Sequence, residues 1–340
     1  MGAVEWERYP RVADSPLPRS WLQLQADRGL SANTIHAYGR ALEDYLRFCE
    51  SGEIEVVTAT REHVARYIRD LNERVPKRDS GSRGLSNATQ RQRLVAVRLF
   101  YDYLVEDEHR TTNPVGRGHY APGNPTGGKR SPIPVFQELP WIPTDDEWLR
   151  LIEVVCTESS RNRLMFALAY DAALRREELC LLSTSDIDPA RHLVTIRAEN
   201  TKNRRARVVP YSEATGLLYS EYLIRRRQLS RARGAVFLSE SPRNTGQPLS
   251  IWTWSKIIEG VAQRAGIDQF TTHTLRHLRL TDLARANWDI HEIALFAGHR
   301  STQSTLRYIH LSGRDLARRL QEGMAEIHAW RSRTLMEMLK

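Results

Sequence analysis

Residues 273–310 read HTLRHLRLTDLARANWDIHEIALFAGHRSTQSTLRYIH, and this stretch decides the fold of the second half of the chain. His273, Arg276 and His277 stand at positions i, i+3 and i+4, so a helix places them on one face. Apolar residues recur at the same period further on, at Leu280, Leu283 and Ala284. The stretch is therefore predicted to open with a helix that presents two imidazoles and a guanidinium together.

The second half of this stretch predicts two short helices. Asp289 and Glu292 form a capping box at the start of the first, and Gly298 is suited to end it. A further helix beyond His299 carries Tyr308. The result is a cationic pocket of His, Arg and His with a phenol nearby, a composition that suits a phosphodiester under attack by tyrosine.

The composition is that of a soluble globular protein with a basic surplus. At 340 residues the chain is long enough for about two domains, and its 41% of hydrophobic residues supply a sizeable core. The net charge is +9, and all but five of the 50 basic residues are arginine. Arginine forks favour bidentate phosphate contacts, so nucleic acid is the predicted partner, with solvated arginine-rich faces as the alternative.

Nothing in the sequence predicts a membrane or an oxidising compartment. No apolar run approaches the roughly 18 residues of a membrane span. The start, MGAVEWERYP, lacks the charged and apolar regions of a secretion signal. Cys49, Cys156 and Cys180 are scattered and show no metal spacing, so a reduced, cytoplasmic setting is expected.

Composition shifts divide the chain into segments. Residues 1–16 look irregular, and 17–112 show the periodicity of an all-helical domain with basic surfaces. The Gly- and Pro-rich stretch 113–143 is predicted to be a linker. A second domain covers 144–312, and an amphipathic helix covers 313–340, where it packs on its own domain or docks on a neighbour.

The second domain contains one predicted hairpin. Thr144 and Glu147 make a capping box for its first helix. Two β-rich runs, 192–198 and 205–211, are joined by a polar segment, and the spacing places Lys202 at the hairpin tip. Helical patterns occupy most of the remainder, so this domain is predicted to be mainly helical with a small β element.

Taken singly, the candidate residues have ordinary structural explanations. Arg175 and Glu178, in ALRREEL, are spaced as a common surface ion pair, and Lys202 reads as a solvated turn residue. His273 and His277 at i, i+4 are spaced as metal ligands, but no Glu stands at the second position as in HExxH. No carboxylate cluster accompanies them, so no metal is expected.

Taken together, four segments resemble the tyrosine recombinases, the phage-integrase-like family of site-specific DNA recombinases. In order along the chain they are ALRREEL, TKNRRARVVP, HTLRH and AGHRSTQSTLRYIH. They span the catalytic half, and the helical 17–112 segment resembles the family's core-binding domain. The resemblance implies a mainly α fold with a small β-hairpin or sheet. In that fold, a helical core-binding domain and an α+β catalytic domain form a two-domain DNA clamp.

The resemblance also implies a reaction. Tyr308 corresponds to the nucleophile, which attacks the scissile phosphorus and leaves a 3′-phosphotyrosyl link and a free 5′-hydroxyl. Lys202 corresponds to the general acid that protonates the leaving oxygen, and His273 to the group that assists proton transfer near Tyr308. Since the phosphotyrosine retains the bond energy, the implied reaction needs neither ATP nor metal, and no cofactor is expected.

Other positions correspond to groups that hold the phosphate. Arg175 and Arg276 would clamp its non-bridging oxygens, since arginine carries a permanent charge and a fork that matches two oxygens. His299 would hydrogen-bond the phosphate. Glu178 and His277 are expected to orient the neighbouring groups.

Double-stranded DNA with specific recombination sites is the implied partner. Arg91, Arg93 and Arg98 on a helix of the first domain, and Lys129 and Arg130 in the linker, are predicted DNA contacts. The family assembles four protomers on two sites, so a tetramer on DNA and a free monomer or dimer are expected. Accessory recombination proteins are further candidate partners, in a cytoplasmic, nucleoid-associated setting.

Three positions depart from the family's pattern. Ala173 replaces the Gly usual before Leu-Arg, and Ala297 replaces the Leu usual before Gly-His. Neither alanine removes a reacting atom, so at most local packing differences are expected. The hairpin reads TKN where a Gly often stands beside the Lys, and this weakens the assignment of Lys202.

Four hypotheses remain for the function. A recombinase of a mobile element or phage-like integration system fits the full set of reacting residues. Type IB topoisomerases and hairpin telomere resolvases use the same chemistry, but relax supercoils or seal hairpins. A DNA-binding regulator on this fold has no need of Tyr308 or Lys202. A metal-dependent phosphodiesterase that uses the histidines would be sensitive to chelators.

Overall fold

The computed structural model forms two compact units, residues 1–137 and 138–340. Within the predicted linker 113–143, residues 117–139 lie outside the described residues except for Ile133. The predicted helix 313–340 lies outside them except for residues 331 and 336. Three predicted site residues also lie outside them: Lys129, Arg130 and Lys202. The residues described are 4–74, 84–116, 133, 140–201, 203–309, 331 and 336.

The first unit is helical, and its longer helices begin at polar caps. Ser31, Thr60 and Ser86 each accept a hydrogen bond from the amide three residues further on. Such caps satisfy amides that have no partner within the first turn of a helix. The helices are α1 (Pro10–Asp14), α2 (Pro16–Asp27), α3 (Ala32–Ser51), α4 (Arg61–Glu73) and α5 (Asn87–Glu106).

The expectation that residues 1–16 are irregular is wrong. Trp6–Arg8 form a 3-10 turn, and α1 follows with Pro10 at its first position, where the fixed φ of proline suits a helix. Tyr9 and Val12 are buried in the core of the first unit. Packing against the rest of this unit therefore orders a segment too short to show helical periodicity.

The buried carboxylate of Asp44 on α3 pairs with several arginine side chains of this unit. Nη1 of Arg74 donates to its Oδ1 at 2.7 Å, and Oη of Tyr67 donates to Oδ2 at 2.8 Å. Arg47 and Arg93 pair with it as well. Burial opposes ionisation, yet the hydrogen bonds from Arg74 and Tyr67 prevail and lower the pKa of Asp44. Arg93, a predicted DNA contact, is thus held by a carboxylate of its own unit.

The second unit consists of helices packed around a small sheet. The predicted capping box at its start is confirmed, since the Thr144 amide donates to Glu147 Oε2 at 2.8 Å and the Glu147 amide donates to Thr144 Oγ1 at 3.3 Å. The helices are α6 (Asp145–Cys156), α7 (Ser160–Asp171), α8 (Arg176–Cys180), α9 (Glu213–Leu229), α10 (Ile251–Ala265), α11 (Thr272–Arg285), α12 (Ile290–Ala297) and α13 (Leu306–Ile309).

The sheet is antiparallel, in the strand order β1-β2-β3. Val194 of β2 pairs with Val209 of β3. Both strands are shorter than the predicted runs 192–198 and 205–211, and a 3-10 turn at Ala198–Asn200 follows the end of β2. The predicted fold class, mainly α with a small β-sheet, is confirmed. The strands are β1 (Ile187–Asp188), β2 (Leu193–Ile196) and β3 (Arg207–Pro210).

The stretch that begins at His273 folds as its pattern predicts. The capping box of Asp289 and Glu292 starts α12, and Gly298 ends it with a φ of +64°, a conformation that favours glycine. A 3-10 turn at Thr302–Ser304 then leads into α13, which carries Tyr308. The side chains that α11 and α12 bury in the core of this unit include Leu275, Leu280, Ile293 and Phe296.

Candidate active site

Tyr308 lies at the centre of the candidate site and is only 7% exposed. Its Oη lies 3.1 Å from Nδ1 of His277. The rings of His277 and His299 flank the phenol, with centroids at 5.4 Å and 5.9 Å, and the His299 ring lies at 10° to it. Helices α11 and α13 and the turn after α12 therefore meet at this side chain.

The imidazole in contact with the phenol is that of His277, which the sequence predicts as a supporting group. His273, the predicted proton-transfer residue, lies one turn earlier on α11, with its ring 6.1 Å from that of His277. His273 stands at the solvent-facing rim of the pocket. Partial loss of solvent, followed by the Arg276 guanidinium, lowers the pKa of His273. This favours the uncharged ring that a proton acceptor requires.

Arg276 places a buried positive charge in the pocket, at 3% exposure. Two backbone carbonyls hold its guanidinium: Nη1 donates to the oxygen of Ala173 at 2.5 Å, and Nη2 to that of Ala297 at 2.6 Å. Nη2 also lies 3.1 Å from Nε2 of His299. Burial, followed by the like charge of Arg175, lowers the pKa of Arg276. An anion that entered the pocket would compensate this charge.

The two alanines that depart from the family's pattern supply these carbonyls. Ala173 has a φ of +46°, in the left-handed region that is costly for residues other than glycine, and its side chain is fully buried. Ala297 is the last residue of α12 and is also fully buried. Both alanines thus contribute to the pocket through their peptide oxygens.

His299 is held as a neutral imidazole. Arginine donates but does not accept, so Nε2 of His299 accepts from Arg276, and Nδ1 carries the hydrogen that it donates to Thr305 Oγ1 at 2.9 Å. Burial, followed by Arg276 and Arg175, lowers the pKa of His299 to about 3. This ring is therefore uncharged at neutral pH, and the nearby arginines carry the positive charge.

Arg175 and Glu178 form a partly buried pair, unlike the surface pair that their spacing alone suggests. Nη1 of Arg175 donates to Oε1 of Glu178 at 2.7 Å, and the Arg175 amide donates to Oε2 at 2.9 Å. The side chain of Arg175 is 24% exposed and that of Glu178 is 1% exposed. Arg175 thus keeps one edge open to solvent while its other edge is fixed, as a phosphate clamp requires.

Arg207 on β3 completes this network, although it is not among the residues predicted from the sequence. Its Nη1 and Nη2 donate to Oε1 and Oε2 of Glu178 at 3.0 Å and 2.7 Å. Burial opposes the ionisation of Glu178, yet the hydrogen bonds from Arg207 outweigh it and lower its pKa to about 2. A signal was present, because the alternation along β3 places Arg207 on the same buried face as Val209.

The remaining predicted residues lie elsewhere. Lys202 is outside the described residues, although its neighbour Asn203 donates to the carbonyl of Gly298 at 3.2 Å, beside the pocket. The described residues contain no group of three or more His, Cys, Asp and Glu that could hold a metal ion. Within the same ranges, no helix has the length and apolar character to span a membrane. Three predicted DNA contacts lie on α5 of the first unit: Arg91, Arg93 and Arg98.

The pocket combines a buried phenol, a neutral imidazole and a cluster of arginines. A phenol is a nucleophile once it loses its proton, and arginine forks bind phosphate oxygens. The site sits in a unit of helices and a small sheet that follows an all-helical unit. This fold and this pocket suit an enzyme that acts on a phosphodiester.

Comparison with known proteins gives the family. The profile of the phage integrase family matches residues 143–314, and that of the phage integrase N-terminal SAM-like domain matches 20–108. Tyrosine recombinase XerC of Herpetosiphon aurantiacus is 30% identical over 297 residues, which are 85% of this chain and 88% of the relative. Tyrosine recombinase XerD of Corynebacterium glutamicum is 26% identical over 311 residues, 88% of this chain and 95% of the relative. The chain belongs to the phage integrase family and is a site-specific tyrosine recombinase.

Solved structures of low sequence identity share the fold. The XerH site-specific recombinase, in a post-cleavage complex with palindromic difH substrate, aligns with a TM-score of 0.66 at 19% identity over 90% of this chain and 84% of that one. The Tn1549 transposon integrase, in complex with a circular intermediate DNA, aligns with a TM-score of 0.67 at 16% identity over 90% and 98%. These structures confirm the predicted fold class, and the family profiles and relatives confirm the predicted family.

Proposed function

We propose that this recombinase cleaves and rejoins DNA strands through a covalent link between Tyr308 and the 3′ phosphate of the cleaved strand. The observation that carries the proposal is the contact between the Tyr308 phenol and the His277 imidazole. The Arg276 guanidinium lies in the same pocket, where it contacts His299. A phenol has a pKa of about 10, so attack at neutral pH needs a proton acceptor or a strongly cationic pocket. These residues supply both.

In the proposed cleavage step, Oη of Tyr308 bonds to the scissile phosphorus and the bond from phosphorus to the 5′ oxygen breaks. The phenolic proton passes to the pair of His273 and His277, and Lys202 gives a proton to the leaving oxygen. Rejoining reverses these transfers when a 5′-hydroxyl attacks the phosphotyrosine. Each step replaces one phosphoester bond by another, so the reaction consumes no ATP. In this proposal the arginines take the place of a metal ion in balancing the charge on the phosphate.

The arginines stabilise the charge that develops on the phosphorane. Arg175 and Arg276 bind the non-bridging oxygens. His299 hydrogen-bonds the phosphate in its other neutral tautomer, in which Nε2 carries the hydrogen and Nδ1 accepts from Thr305 Oγ1. Loss of one contact of this kind typically slows an enzyme by about 10²–10³-fold. Glu178 supports Arg175, since its carboxylate fixes one edge of that guanidinium and leaves the other edge open.

The substrate in this proposal is double-stranded DNA with specific sites, recombined by a tetramer. In the same proposal, residues 17–112 are a core-binding domain, 113–143 a linker and 144–312 the catalytic domain, and the predicted helix 313–340 docks on a neighbouring protomer. Arg91, Arg98, Lys129 and Arg130 are the proposed phosphate contacts. The biological setting is a mobile element or phage-like system in the cytoplasm, with recombination at the nucleoid.

The first test is covalent trapping in EDTA. Duplexes that bind the protein would first be selected from a random-sequence pool and then nicked at successive positions. Cleavage near a nick releases a short strand with the 5′-hydroxyl, so rejoining is prevented and the adduct accumulates. Wild type is expected to give an SDS-resistant protein–DNA adduct whose peptide map places the DNA on Tyr308. The Tyr308→Phe variant, which lacks the attacking oxygen, is expected to bind the same DNA without forming the adduct.

Tyr211→Phe is the matched control, since it removes another phenolic oxygen of the same unit, one that donates to the carbonyl of Asp188. This variant should form the adduct at the wild-type rate. An adduct on a residue other than Tyr308, or one that forms only after a metal is added, would rule out the proposed chemistry. Joined strands in the product would separate recombination from cleavage alone.

A further inference from the structure

Arg207 contacts two sides of the candidate site although its own side chain is only 6% exposed. Its fork holds both carboxylate oxygens of Glu178, and its Nε donates to the carbonyl of Phe296 at 3.1 Å. A side chain buried to this degree is shielded from a DNA backbone at the surface. Any effect of Arg207 on strand cleavage must therefore act through the groups that it holds.

The first of these groups is the Arg175 guanidinium. Oε1 of Glu178 accepts from Nη1 of Arg175 and from Nη1 of Arg207, while Oε2 accepts from the Arg175 amide and from Nη2 of Arg207. A bidentate fork fixes the plane of a carboxylate as well as its position. Rotation of the Glu178 carboxylate would therefore carry the Arg175 guanidinium away from its place.

The second group is the turn that delivers His299. Arg207 binds the carbonyl of Phe296 near the end of α12, and it also packs against Gly298. A β-carbon on Gly298 would lie 2.9 Å from Nη1 of Arg207 and 3.1 Å from its Cδ. Between these two contacts lies Ala297, whose carbonyl anchors Arg276. A shift of Arg207 would therefore move the backbone that positions His299 and Arg276.

We propose that Arg207 is a positioning residue that sets Arg175 on one side of the phosphate, and Arg276 with His299 on the other, at a fixed separation. The inference rests on the proposed function of this pocket. Arg207 also offsets the charge of Glu178, so the Arg175 charge remains available to the phosphate. A lysine in its place would keep the charge but lose the fork and the Nε contact.

The test compares Arg207→Lys with wild type in single-turnover cleavage of nicked DNA. Because a misplacement of about 1 Å can cost about 10²-fold in rate, the cleavage rate of Arg207→Lys is expected to fall by about 10²-fold. The dissociation constant for the same DNA is expected to stay at the wild-type value, since Arg207 is shielded from solvent. Arg226→Lys is the matched control, because Arg226 is another buried arginine of this unit and donates to the carbonyls of Ala235 and Val236.

A second substrate separates positioning from general loosening of the fold. A methylphosphonate at the scissile position carries one negative charge fewer, so it depends less on a correctly placed pair of arginines. The rate penalty of Arg207→Lys should therefore shrink on methylphosphonate DNA. The control Arg226→Lys lowers stability without such selectivity, and its rate relative to wild type should be the same on both substrates.

The outcomes are distinct. A penalty for Arg207→Lys that is equal on both substrates, or a rate equal to that of wild type, would overturn the positioning role. A loss of DNA affinity that accounts for the whole rate effect would overturn it too. If wild type itself forms no Tyr308 adduct on any selected duplex, the proposed function fails, and the role of Arg207 fails with it.

Discussion

His277 and Tyr308 are in direct contact, with Nδ1 of the imidazole 3.1 Å from Oη of the phenol. The two residues are 31 positions apart in the chain and meet because α11 and α13 pack together. The contact makes His277 the described imidazole that is best placed to take the phenolic proton. His273 is one helical turn away, at the solvent-facing rim.

The first prediction concerns this contact. His277→Ala removes a proton acceptor from the phenol, so the single-turnover rate of adduct formation is expected to fall by about 10²-fold or more. His277→Gln retains a hydrogen-bonding group and should recover part of the rate. Adduct formation on nicked DNA measures both variants, with His273→Ala alongside. A wild-type rate in His277→Ala together with a large loss in His273→Ala would assign proton transfer to His273 alone.

A second prediction concerns pH and follows from the neutral state of His299. Its pKa is about 3 in the folded protein and about 6.5 in an unfolded chain. Between these values the unfolded state binds the extra proton, so the free energy of unfolding decreases as the pH falls from about 6.5 towards 3. Urea unfolding at pH 7 and pH 5 measures the decrease, which should be smaller in His299→Gln.

The comparison at pH 5 avoids the carboxylate contribution of Glu178. The pKa of Glu178 is about 2 in the folded protein, so its contribution to stability is lost only below its ordinary pKa of about 4.3. His291→Gln on the exposed side of α12 serves as the control. An equal pH dependence in wild type and His299→Gln would contradict the assignment of a neutral His299.

The third prediction uses two glycines that end helices in nearly the same conformation. Gly298 has a φ of +64° and Gly266 a φ of +67°, so alanine at either position is expected to destabilise the fold by about 1–2 kcal/mol. A β-carbon at Gly266 meets nothing within 4 Å, whereas at Gly298 it meets Arg207 at 2.9 Å. Only Gly298→Ala should therefore slow cleavage.

Thermal unfolding and single-turnover cleavage of the two alanine variants check this prediction. A rate loss confined to Gly298→Ala, with a stability loss at least as large as that of Gly266→Ala, would tie the rate to the position of Arg207. If Gly266→Ala slowed cleavage as much as Gly298→Ala, the loss of rate would come from backbone strain in general.

The fourth prediction separates the arginines of α5. Arg93 pairs with Asp44, and its side chain is 24% exposed, so Arg93→Ala is expected to cost about 1.5–3 kcal/mol of stability, the range for a hydrogen bond to a charged group. Arg91→Ala should leave stability near wild type and lower the slope of log K against log salt by about 1, as for one lost phosphate contact. Urea unfolding and DNA binding at several salt concentrations distinguish the two. A reduced salt slope with unchanged stability in Arg93→Ala would show that Arg93 contacts a DNA phosphate instead.

Most of the fold could be predicted from signals that are local in the sequence. The capping box at Asp289 and the stop at Gly298 act within a few residues, so both could be identified from the sequence and both are confirmed. Helix α1 was missed, because five residues are too few to show periodicity and its order depends on burial of Val12. Strand β2 ends sooner than the β-rich run 192–198 suggests, because the 3-10 turn at Ala198–Asn200 begins there.

The site was predictable in its residues but not in its contacts. Spacing along α11 placed His273, Arg276 and His277 on one face, yet it did not indicate which imidazole meets Tyr308. That choice depends on how α13 packs, and no local pattern encodes it. The alternation along β3 indicates that Arg207 is buried, but it does not indicate its contacts, since the partner carbonyl at Phe296 lies 89 residues away in the chain.

The anchoring of Arg276 has a consequence for how this pocket tolerates change. Its two anchors are peptide oxygens, at Ala173 and Ala297, and every amino acid carries such an oxygen. Divergence of the side chains at these two positions leaves the hydrogen-bond acceptors in place as long as the chain keeps its path. The direction of this guanidinium thus depends on the path of the backbone and not on the two side chains. A substitution matters only if it changes that path, above all at Ala173, where a φ of +46° is costly for residues other than glycine.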